Sequence, residues 1–217
     1  STSVIDFSYP DSIQMQSYKP TFSGHPLQIK KACDLIAKAE RPVLYVGGGA
    51  IASNASEEVK ALAEMIMAPV TTTLMGKGAF PEDHPLSLGM LGMHGTKYAN
   101  YAVIDSDLLI AIGARFDDRV TGKIDSFAPG AKIIHIDIDP AELGKNVRVD
   151  VPIVGDARSI LKKLISSLKI KLPKSTPWTS KVEAWKKEFP LTYDKASKDL
   201  MPQYVIQQLN EIAGDSS

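Results

Sequence analysis

The sequence predicts a doubly wound α/β domain, a parallel sheet with helices on both faces, over residues 27–170. Two observations carry the prediction. Short apolar runs recur along the chain without alternation in polarity, the pattern of strands covered on both faces. Each run ends in glycine or acidic residues and gives way to apolar residues at helical spacing, the order of strand, turn and helix from which parallel sheets are built.

The elements follow in order. Residues 1–26 contain three prolines and several serines without a sustained period, and read as an incoming connector that wraps rather than packs. Leu27, Ile29, Ala32, Leu35, Ile36 and Ala39 keep helical spacing and stop before Arg41-Pro42, because the residue before a proline is pushed out of the helical region. Val43–Val46 is a strand ending in Gly47-Gly48-Gly49, and Val59, Leu62, Ala63 and Ile66 mark the next helix. Further strands are expected at Pro69–Leu74, ending in Met75-Gly76-Lys77-Gly78, and at Leu108–Ile112, ending in Gly113-Ala114-Arg115. A fourth, Lys132–Ile136, runs into Asp137-Ile138-Asp139-Pro140, and a fifth and weaker one, Val151–Val154, ends at Gly155-Asp156 before a helix over Ala157–Leu168. Residues 171–202 are rich in Lys, Pro, Ser and Trp and read as an outgoing connector with a short helix around Trp178, Val182 and Trp185. Residues 203–213 open another amphipathic helix.

Composition bounds the function. Hydrophobic residues at 44% and charged residues at 23% are those of a chain able to form a core. Lys+Arg and Asp+Glu both number 25, so no global charge draws the chain to nucleic acid or to an anionic membrane. The single Cys33 excludes an intrachain disulfide and a cysteine-based zinc cluster, and fits a reducing compartment. No run of about 20 apolar residues and no signal-peptide layout at the start point to a membrane or to secretion. Ser1 stands where an initiating Met would, as expected of a piece of a longer chain.

Chemistry is expected at the carboxyl ends of the strands, where helix N-termini offer free N–H groups. The triple glycine at 47–49 suits close packing or a phosphate, but it is not a full G-x-G-x-x-G. Asp137 and Asp156, each at a strand end, can accept ribose hydroxyls or cap the following helix. For Asp137 the ligand role is preferred, and for Asp139, before Pro140, the cap. His94, between two glycines, is expected beside a cofactor at a helix start rather than as a base. His135, inside a strand, is expected to be a satisfied core residue, whereas His25 and His84 carry no signal. In Gly113-Ala114-Arg115-Phe116-Asp117-Asp118-Arg119, two arginines either pair with the aspartates on the surface or reach a phosphate or carboxylate. No metal-site spacing is present.

The stretches RPVLYVGGG, PVTTTLMGKGAFPEDHPLSLGMLGMHGTKYANYAV, DLLIAIGARFDDRVTGKIDSFAP and AKIIHIDIDPAELGKNV closely resemble the central domain of the FAD-containing acetohydroxyacid (acetolactate) synthase catalytic subunit, a thiamine-diphosphate enzyme family. The resemblance implies a Rossmann-like sheet of about six strands. It implies an incoming linker at 1–26, the FAD-binding domain at 27–170, an outgoing linker at 171–202 and, at 203–217, the start of the diphosphate-binding domain. It implies that FAD meets Gly48, Thr73, Leu74, Leu91, Gly92, Met93 and His94, then Gly113, Ala114, Arg115, Phe116 and Asp117. The adenosine end would meet Asp137, Ile138, Asp156 and Ala157. Met93, His94, Asp118 and Arg119 match positions lining the substrate channel, where sulfonylurea-type inhibitors bind, and Lys19 matches another.

The implied parent decarboxylates pyruvate on thiamine diphosphate, held with Mg2+ outside this chain, and condenses it with pyruvate or 2-oxobutyrate in branched-chain amino-acid biosynthesis. Its implied partners are the flanking thiamine-binding domains, further copies of the chain and a regulatory subunit, and its implied place is the cytoplasm, or an organelle in a eukaryote. The chain carries neither the GDG…NN motif nor the upstream glutamate that activates thiamine, so it is expected to be inactive by itself, with no catalytic or metal-binding residue of its own. Where the family carries an arginine toward FAD, this sequence has Gln16, which lowers the expected flavin affinity. The middle domain of another thiamine carboligase, such as glyoxylate carboligase, and a ligand-free scaffolding module are the alternatives.

Overall fold

The computed structural model describes residue 8, residues 21–168 and residues 175–213; Gln16 and Lys19 lie outside the described residues. The chain runs α1 (Pro26–Ile36), β1 (Pro42–Val46), α2 (Gly48–Ala52), α3 (Ser56–Ile66), β2 (Val70–Thr72), β3 (Ser87–Met90), α4 (Lys97–Asp105) and β4 (Leu108–Ile112). It continues through a single turn α5 (Asp118–Thr121), β5 (Lys132–Asp137), β6 (Val151–Val154), α6 (Ala157–Ser167), α7 (Pro177–Glu188) and α8 (Pro202–Ala213). All strand pairs are parallel, in the order β3-β2-β1-β4-β5-β6. Chain order reverses between β1 and β4, and the crevice at such a switch point is where open α/β sheets take ligands.

Strand residues alternate between two cores. Leu44, Val46, Ile110, Ile112, Ile134 and Ile136 face α1, α2, α3 and α6, whereas Val43, Tyr45, Leu109, Ala111 and Ile133 face α4 and α7. Each fully buried Leu or Ile contributes roughly 1.5–3 kcal/mol, so β1, β4 and β5 carry much of the stabilisation of the described core. Packing there fixes the loops at their carboxyl ends.

The described end of the incoming connector packs rather than wraps: Ser23 bridges Gly155 antiparallel, and the Lys163 Nζ donates to its carbonyl at 2.6 Å. His25, expected to be silent, caps α1 by accepting the Leu27 N–H at 3.3 Å. His84 accepts the Leu86 N–H at 3.2 Å and meets Glu64 Oε1 at 3.2 Å. Five strands answer to the apolar runs, and β3 is the one the residue pattern does not pick out. The expected outgoing connector contains α7, started by a capping box between Thr176 and Thr179 and by Pro177 at its first turn. Trp178 and Val182 are buried on the sheet, and the Trp178 indole donates to the Pro42 carbonyl at 3.0 Å. No described helix is long and apolar enough to cross a membrane.

Candidate functional site

The loops after β1, β2, β4 and β5 enclose a cleft of about 710 Å³ at the switch point. That volume lies within the roughly 300–1,000 Å³ of small-molecule sites. One wall is glycine backbone. A Cβ on Gly47 would stand 2.1 Å from the Gly113 carbonyl oxygen, and one on Gly49 2.7 Å from the Gly113 Cα, so these two glycines serve the close approach of the β1 and β4 loops. Gly48 differs, since its Cβ would meet the Met75 side chain at 3.1 Å; it lines the cleft, as Gly49 also does. Of the sequence alternatives, Gly47 thus serves packing, Gly48 the cleft wall and Gly49 both.

The loop after β4 forms the floor. Gly113 and Phe116 both have positive φ, +57° and +53°, and the Asn146 Nδ2 donates to the Arg115 and Phe116 carbonyls at 3.1 Å each, holding the unusual turn. Tyr45, Ala111 and His135 share one cross-strand row. Phe116 lies against that row, its ring centre 5.5 Å from Tyr45 and 5.1 Å from His135, in the space that the small Ala111 leaves. Burial pushes the Tyr45 phenol pKa up, and the Asp117 carboxylate adds to the rise, so the hydroxyl faces the cleft as a neutral group.

Charge is divided across the cleft. Arg115 lies 3.5 Å from Asp117 in an exposed pair, whereas Arg119 has no ion pair among the described residues and lines the cleft. Asp118 spends one oxygen on the Arg119 N–H at 2.8 Å. Opposite stand Asp137, Asp139 and Glu142. Asp137 is buried and accepts the Asp139 N–H at 2.9 Å. Asp139 does accept, from the Ala141 N–H at 2.9 Å, but it opens a turn, not the expected helix. His135 is buried as expected yet not satisfied: neither ring nitrogen has a hydrogen-bond partner of good geometry, since the Asp137 carboxylate stands 4.0 Å away and, among the described residues, the only other polar group acting at close range is the Ala114 backbone.

Gly48, Thr73, Leu74, Gly113, Ala114, Arg115, Asp117, Asp137 and Arg119 are therefore brought together. Thr73 also accepts the Gly76 N–H at 2.9 Å, shaping its turn. Leu91, Gly92, Met93 and His94 do not line the cleft, but the loop abuts it, with the Met93 N–H donating to the Arg119 carbonyl at 3.2 Å. Phe116 lies beneath the floor, Asp118 and Ile138 beside the cleft, and Asp156 and Ala157 at the end of β6. Asp156 caps α6 through the Ser159 N–H at 2.8 Å, so the cap is made, with the second oxygen left over. Tyr45, Met75 and Glu142 line the cleft without having been singled out. Only Tyr45 carried a signal, as the one polar-tipped residue in an apolar strand.

A six-stranded parallel sheet in this order, with a cleft of glycine backbone and divided charge at its switch point, defines a doubly wound, Rossmann-like domain. Residues 29–164 match the family model described as "Thiamine pyrophosphate enzyme, central domain", and the chain belongs to that family. It is 55% identical over 210 residues to a probable acetolactate synthase large subunit of Methanocaldococcus jannaschii, covering 96% of this chain and 36% of that protein. Identity to an acetolactate synthase of Mycobacterium leprae is 52% over 213 residues, covering 96% and 34%. For the large subunit of Buchnera aphidicola it is 46% over 218 residues, covering 100% and 38%. The chain spans about a third of the length of the curated relatives it matches.

Proposed function

We propose that the cleft between β1 and β4 binds FAD and that the chain is the flavin-holding central part of an acetolactate synthase. The observation that carries the reading is the division of charge across one glycine-walled cleft. Arg115 and Arg119 suit a diphosphate, while Asp137 and Glu142 suit sugar hydroxyls, with Ile138, Asp156 and Ala157 further toward the adenosine end. Leu74, Met75 and Met93, 71%, 75% and 68% exposed, offer an apolar surface to a flat ring system, with His94 beside them. The residues fit the group. At this place the flavin serves as a structural part and carries no electrons during acetolactate formation. Met93, His94, Asp118 and Arg119 form the wall toward the substrate channel.

The parent enzyme, in this reading, uses thiamine diphosphate and Mg2+ held by domains on either side to decarboxylate pyruvate and join it to pyruvate or 2-oxobutyrate, in the cytoplasm, as a homo-oligomer with a regulatory subunit. Residues 27–170 are its central domain, and 171–202 lead to the diphosphate-binding domain that begins at 203–217.

Titration of FAD with the purified chain, followed by flavin fluorescence, tests the reading. Saturable binding is expected, weakened about tenfold by Arg119→Ala through loss of a charge-assisted contact. No saturable change with the wild type, or an unaltered affinity in Arg119→Ala, contradicts it. Supplied with pyruvate, thiamine diphosphate and Mg2+, the chain alone is expected to form no acetolactate; detection of product would show that the catalytic groups are here after all.

A further inference from the structure

His135 stands in the middle of β5 with none of its surface open to solvent, and both ring nitrogens lack a hydrogen-bond partner. An imidazole always carries at least one N–H, and an unpaired buried donor is costly, so such a group calls for an explanation. Packing alone does not supply one, since Ile133, two residues earlier on the same face of the strand, is buried without that cost. Two residues on, and on the same face, is Asp137. Its Oδ2 lies 4.0 Å from the His135 Nε2, about 1 Å too far for a hydrogen bond. Its Oδ1 is fixed by the Asp139 N–H at 2.9 Å, and among the described residues no donor reaches Oδ2. Asp137 in turn lines the cleft.

We propose that His135 is the positioning residue for Asp137. Its Nε2–H is donated to Oδ2 as a hydroxyl-bearing ligand draws the carboxylate into place, so that the buried ring fixes the acceptor that meets the ligand. The inference rests on the flavin reading for the identity of that ligand alone. Nε2 is the ring nitrogen that stands 4.0 Å from this carboxylate, and a charged acceptor holds an N–H more strongly than a neutral one, which selects Nε2 as the protonated nitrogen. Burial holds the ring in its neutral form, against the weaker pull of Asp137, the Ala114 backbone and the Glu142 carboxylate, and no lysine or arginine is among the groups that act on it. Tyr45 from β1 and Phe116 from the loop after β4 close the remaining sides. The ring acts as a neutral donor and transfers no proton.

Two measurements on the chain decide the matter. In long-range 1H–15N spectra without flavin, His135 is expected as the Nε2–H tautomer, and Asp137→Asn is expected to move its ring nitrogen shifts. An Nδ1–H tautomer, or shifts indifferent to Asp137→Asn, overturns the pairing whether or not any flavin binds. In FAD titrations, His135→Leu is expected to bind about three- to tenfold more weakly, the range of one hydrogen bond, while melting no lower than the wild type because an unpaired donor is gone. His135→Gln, which keeps an N–H, is expected to recover most of that loss. Wild-type affinity in His135→Leu, or no recovery in His135→Gln, contradicts the proposal. Absence of flavin binding by the wild type would sink the flavin reading and leave the tautomer to decide this one; the tautomer and the Asp137→Asn response also decide if His135→Leu does not fold.

Discussion

At the scale of single residues, neighbouring glycines do different work, and substitution separates them. Gly47→Ala drives a Cβ to within 2.1 Å of the Gly113 carbonyl, which the rigid ends of β1 and β4 cannot yield. Urea unfolding is expected to show a loss of about 3 kcal/mol or more, the upper end of overpacking. Gly48→Ala meets only Met75 and sits at the start of a helix, so its stability is expected to stay within about 1 kcal/mol of the wild type while FAD affinity falls. Equal destabilisation by both would mean that Gly48 also serves packing. The sequence offered three glycines in a row and no means of ranking them. The ranking comes from Gly113, more than sixty residues away. Asn146 was equally silent, because nothing near it in the chain says that it holds the Arg115 and Phe116 carbonyls.

At the scale of elements, α7 carries more of the fold than its composition suggests. Five lysines and two glutamates mark residues 171–188 as a connector, yet Trp178 and Val182, one helical turn apart, are buried against the sheet. Trp178→Ala is expected to cost about 3–5 kcal/mol in thermal or urea unfolding, through the lost ring and the lost bond to the Pro42 carbonyl. Flavin affinity at 25 °C should change little, since α7 meets the far end of the sheet; a loss below about 1 kcal/mol would mean that α7 is a loose appendage. Strands β1, β4 and β5 were legible as apolar runs because both of their faces are covered. Strand β3 was not, because Ser87-Leu88-Gly89-Met90 is short and contains a glycine with φ of +67°. Most of the cleft's floor was legible for the same reason the strands were: where a strand ends, the site begins. Its acidic wall was legible only as far as Asp137, since Glu142 sits in a turn that follows no period.

For the whole molecule, stability should depend on pH in two steps. Burial lowers the pKa of His135 in the folded state, while the unfolded chain keeps an ordinary value near 6.5. Below that value the unfolded state binds more protons, so stability is lost as pH falls from about 6.5 toward the lower folded value. Asp150 adds a second loss below about pH 4. Burial alone would raise its pKa, but the Ile133 N–H and the Lys132 ammonium outweigh burial and hold it down. Urea midpoints measured from pH 7.5 to pH 5 should decline in the wild type and stay level in His135→Leu; parallel declines would remove the histidine from the account. The same switch point that organises the sheet also organises the cleft, for which FAD is the proposed ligand. Amide shifts followed by NMR during FAD titration test it most directly. Saturable changes are expected at Gly48, Thr73, Gly113–Asp117 and Asp137, with those at Tyr193–Gln207, around the separate C-terminal hollow, unmoved. No saturable change at the β1 and β4 loops, or changes centred on that hollow, would contradict it.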